Sequence, residues 1–64
     1  MDIVNSIVKR CEAKVKVHNV LASKFQSQGD TYNFATQYGY VEAYDEILEL
    51  IKELKEYEKG NKNQ

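Results

Sequence analysis

This 64-residue chain contains no proline and has one strong place to turn, the segment QSQGDT at residues 26–31. Gly29 suits the left-handed position that follows a helix, and Asp30 or Thr31 suits the N-cap of the next one. Everything on either side must therefore run on as regular structure. The spacing predicts an all-α, antiparallel two-helix hairpin: a helix over 2–27, a hinge over 28–31 and a helix over 32–59. Gly60 before NKNQ reads as a C-cap, so residues 1–60 form a single hairpin domain and 61–64 a frayed tail.

Before the hinge, Val4, Val8, Cys11, Val15, His18, Ala22 and Phe25 recur at alternating steps of four and three. That is the stripe of a packed helix, widened by Ile3, Ile7, Val17 and Leu21. Asp2 is placed to cap its start and meet the helix dipole. The segment AKVKVHNV at 13–20 speaks against this, because it alternates as a strand would and valine favours strands. No turn residue bounds it, so the helix is preferred.

After the hinge, Val41, Tyr44, Leu48 and Ile51 form one stripe, and Ala43, Ile47, Leu50, Leu54 and Tyr57 a second. At 100° per residue these merge into an apolar arc of roughly 200°, about twice what one neighbouring helix covers. The surplus predicts self-association into a homodimeric four-helix bundle through Val41, Tyr44, Ile47, Leu48, Leu50, Ile51, Leu54 and Tyr57. Chain length points the same way, since domains this small usually need a disulfide, a metal or another subunit. Cys11 is the only cysteine and His18 the only histidine, too few for an internal disulfide or a closed zinc shell. Gly39 interrupts the second pattern, and two readings stand: close approach of the helices, or a break that detaches residues 31–38.

The stretch TYNFATQYGY has four aromatic rings and no charge, in a chain that is 30% charged. Tyr32, Phe34, Tyr38 and Tyr40 either fill the hinge end of a bundle or form a protein-binding patch; Tyr-rich uncharged surface has interface composition. No lysine or arginine interleaves the rings, as a base-stacking platform would require. Glu42, Glu46, Glu49, Glu53 and Glu56 repeat at steps of four and three along the back of the second helix. The first four join the candidate protein-binding surface, as a strip that fits a basic partner. Residues 1–29 have five basic side chains against two acidic, and residues 30–64 four against eight, giving +3 and −4.

His18 and Cys11 lie two helical turns apart, about 10.5 Å, too far to pair or share a metal. They read as a half-buried, hydrogen-bonded histidine and a small buried thiol. No phosphate-binding loop, paired-cysteine zinc signature or nucleophile motif occurs. Carboxylates on a wet helix back keep ordinary acidity, which suits neither acid nor base catalysis. The expectation is a non-enzyme with no cofactor, no metal and no direct nucleic-acid or membrane partner. A lone thiol and the lack of a leader-like segment suggest the cytoplasm.

The Lys/Glu/Asn/Tyr-rich hairpin, with its phrase YGYVEAYDEILELIKELKEYEKG, resembles the small accessory proteins of bacteriophages and mobile elements of low-GC Gram-positive bacteria. That resemblance implies a protein that binds and inhibits or regulates a host protein. The alternative reading is a purely structural homo-oligomeric assembly or scaffold component.

Overall fold

The computed structural model describes residues 2–62, of which 61 and 62 by backbone alone. It consists of two α-helices, α1 (Ile3–Ser27) and α2 (Thr31–Lys62). Asp2 is the N-cap of α1, its carboxylate accepting from the Asn5 backbone N–H at 3.2 Å. The valine-rich segment 13–20 is helical throughout; tertiary packing of the stripe outweighs strand preference at single positions.

The joint is only three residues long. Gly29 adopts φ +74°, the left-handed conformation that costs glycine nothing. Its N–H donates to the Gln26 carbonyl at 3.1 Å, and the Asp30 N–H donates to the Phe25 carbonyl at 2.9 Å. These two bonds make a Schellman motif, which closes α1 with the Phe25 and Gln26 carbonyls satisfied. Asp30 then starts α2. Its carboxylate accepts from the Asn33 backbone N–H at 3.2 Å and from the Asn33 side-chain amide at 2.7 Å. One residue therefore ends one helix and caps the next, and the chain has no slack in which to splay.

The two remaining glycines behave otherwise than the sequence suggests. Gly39 lies within an unbroken α2, and a Cβ built there meets nothing within 4 Å. Neither close approach nor a break accounts for it; it is an exposed helical glycine. Gly60 does not end α2, which continues to Lys62. Of the expected tail, residues 63–64 lie outside the described residues.

The helices face each other along Val8, Cys11, Val15, His18 and Ala22 on α1, and Gln37, Val41, Tyr44, Leu48 and Ile51 on α2. All of these are buried or half-buried. The seam is thin. Among the described residues only Cys11, Ala22 and Val41 are buried apolar groups, at 6%, 4% and 5% exposure, and no large side chain is fully enclosed. The shape agrees: a slab of 53 × 22 × 12 Å with a radius of gyration of 15.5 Å, against about 11 Å for a compact domain of this length.

Candidate interaction surfaces

On α1, Ile3, Ile7, Val17 and Leu21 sit to one side of the seam by helical phase, at roughly 60–140° from it. On α2, Tyr40, Ile47, Leu54 and, further round, Leu50 sit to the corresponding side. Reversing a helix's direction mirrors its wheel, so in an antiparallel pair these flanks fall on the same side of the hairpin. A groove on this side is lined by Val4, Ile51 and Leu54, together with Asp2, Lys55 and Glu58. The groove on the other side has Val8, Leu48 and Ile51 beneath Glu12, Lys52 and Glu56. The two sides therefore differ not in their grooves but in the flanks that border them, mostly apolar on the first and mostly charged or polar on the second. The apolar side leaves Ile3 at 70%, Leu50 at 55% and Leu54 at 54% exposure.

This geometry divides the expected self-association set. Val41 is buried in the hairpin's own seam, and Tyr44, Leu48 and Ile51 are half-buried along it. Ile47, Leu50, Leu54 and Tyr57 remain exposed. The 200° arc is shared between one helix already present and a surface still open, and α1 contributes to that surface as much as α2 does.

The aromatic residues divide too. Phe34 and Tyr38, one turn apart, pack at a centroid distance of 5.8 Å on the side opposite the apolar face. Their helical phase continues into Glu42, Asp45 and Glu49. Glu42, Asp45, Glu46 and Glu49 together line a shallow surface depression, with Glu53 beyond them in the same row. Tyr32 stands outward at 81% exposure.

Tyr40 belongs to a different cluster. Its ring stacks on His18 at 4.6 Å and 21°, and Tyr44 lies nearly parallel to the same imidazole at 6.0 Å. His18 Nδ1 is 2.6 Å from Gln37 Oε1, so the protonated nitrogen donates to the amide oxygen. This polar clasp, with Lys55 Nζ donating to Asn5 Oδ1 at 3.2 Å near the other end, fixes the sliding register of the helices. His18 and Cys11 sit as the sequence suggests, half-buried with a partner and buried respectively. Gln37 was not singled out from the sequence. The available signal was its phase: Gln37, Tyr40 and Tyr44 follow at i, i+3 and i+7, opposite His18 in the hairpin register.

Among the described residues, no group of three His, Cys, Asp or Glu side chains is placed to hold a metal ion, and no helix is long and apolar enough to cross a membrane. Compared with protein-family models, curated proteins and solved structures, the chain gives no match.

Proposed function

We propose that this chain is a non-enzymatic protein-binding module that acts as a homodimer, pairing through its apolar side and meeting a target with the other. The observation that carries this is the apolar flank shared by both helices, beside a seam that encloses no large side chain. Hydrophobic stabilisation runs at about 25 cal/mol per Å², and a hairpin with this seam leaves most of its own gain unrealised until that flank is covered.

The Phe34–Tyr38 pair and the neighbouring Glu42, Glu46, Glu49 and Glu53 are the target-facing surface. Acidic groups beside a half-buried Phe34 and an exposed Tyr38 favour a basic protein surface, with the charges raising the association rate and the rings supplying contact area. Inhibition or regulation of a host protein in the cytoplasm follows from the resemblance to phage accessory proteins. The test is capture from a bacterial lysate by the native chain and by a Phe34→Ser/Tyr38→Ser variant. The expected result is a protein held by the first and lost by the second, at unchanged helicity and mass. Loss of the oligomer instead assigns the rings to the self-interface.

A specific observation favours a second reading, a purely structural assembly component. Val20 and Tyr57, both 68% exposed, stand on the outer sides of the helices, away from the middle of the apolar side. An assembly larger than a dimer would use them, and sedimentation velocity showing growth past two subunits would favour that reading.

A further inference from the structure

Building on the homodimer reading, we infer that the second copy lies on the apolar side with its hinge at the same end as the first, each α1 resting on the partner's α2. The flank formed by Ile3, Ile7, Leu21, Ile47 and Leu54 is self-complementary, and the slab face of 53 × 22 Å offers on the order of 1,000 Å² per subunit. A stable interface needs about 800 Å² from each side. Two arrangements with a two-fold axis bury this face. With the axis along the helices, hinges coincide and α1 meets α2. With the axis across them, hinges lie at opposite ends and each helix meets its own copy.

Charge separates the two. Arg10 and Lys14 lie on the same flank of α1 as Ile7 and Val17, so they face whatever covers it. With the axis across the helices, it crosses α1 near its midpoint, beside Lys14. Lys14 then approaches its own symmetry mate across a closing apolar interface, with Arg10 about 15 Å along the axis from its own, and like charges so placed disfavour it. With the axis along the helices, heights are preserved. The hairpin register, fixed by Asn5 with Lys55 and by His18 with Gln37, sets Arg10 level with position 49. On the partner's α2, Glu46 and Glu53 stand near that height on the outer back of the helix, at the edge between Leu50 and the target-facing side, one turn either side of Leu50. The arginine stem covers apolar surface while its head reaches those carboxylates. Every basic α1 then has acidic α2 helices as its two neighbours.

A nitroxide at Gln28→Cys in a Cys11→Ala background, read by pulsed dipolar spectroscopy, tests this. Coincident hinges place the labels within about 25 Å, the width of a bundle. Opposed hinges place them at about 40–50 Å, the length of the hairpin. The short distance with a dimer mass supports the inference. The long distance overturns it while leaving the homodimer intact. A monomer at 100 µM (roughly 10⁵ times a nanomolar Kd) overturns both and gives the face to a different protein. Should the cysteine-free background fail to fold, charge reversal in the native chain decides instead. Arg10→Glu is expected to weaken dimerisation about tenfold or more, and adding Glu46→Lys and Glu53→Lys to restore it. An unaffected dimer, or no rescue, overturns the pairing.

Discussion

Two glycines ten positions apart should respond to the same substitution with opposite signs. At Gly29 the backbone is left-handed, and Gly29→Ala is expected to destabilise by about 1–2 kcal/mol. At Gly39 the backbone is helical and the space beside it empty, so Gly39→Ala should stabilise by about 1 kcal/mol. Urea unfolding of both variants checks the pair; a loss at position 39 would mean that something needs the missing methyl space. Asp30 permits a further check. Its carboxyl is held below 3.8 by the Asn33 side-chain hydrogen bond first and the Asn33 backbone bond second. A depressed folded-state pKa means that its contribution is present above the unfolded value and lost as pH falls through the folded one. The melting-temperature gap between the native chain and Asp30→Ala should therefore be full at pH 7 and close below pH 3.8. Gly29 and Asp30 were legible in the sequence because nothing else in the chain could turn it. Gly39 was not, because a glycine letter records the absence of a side chain without saying whether anything fills the gap.

At the scale of the helices, the order of elements followed from the stripes and the single hinge, and the valine alternation was the misleading signal. Of that segment's three valines, Val15 is half-buried on the seam, while Val17 and Val20 face outward. Val20→Ala, away from both the seam and the apolar flank, should raise stability by about 0.5 kcal/mol through helix propensity alone, measured by thermal melting. What the arc width could not tell was its division. It gives the amount of apolar surface but not the phase at which the first partner docks, and that phase is set by the joint and the His18–Gln37 clasp. A double-mutant cycle on His18→Ala and Gln37→Ala should return a coupling of about 0.5–1.5 kcal/mol. A null coupling would remove the clasp as the register-setting contact.

For the molecule as a whole, stability and assembly are the same quantity if the apolar side is covered by a second copy. The melting temperature should then rise with protein concentration. Leu54→Asp should produce a chain of half the mass and a much lower melting temperature, because it places a charge on the face that must dry. Glu49→Lys, on the opposite side, should leave mass and melting nearly unchanged, within about 0.5 kcal/mol. Sedimentation at two concentrations distinguishes these outcomes.

The three-residue elbow has a last consequence. Apart from it, the chain is helix-competent from end to end. If Gly29 were replaced by a residue that prefers the right-handed well, the molecule's easiest escape would be to straighten. A single rod of about 60 residues would reach roughly 90 Å, with both its stripes laid bare for trading halves with another straightened chain.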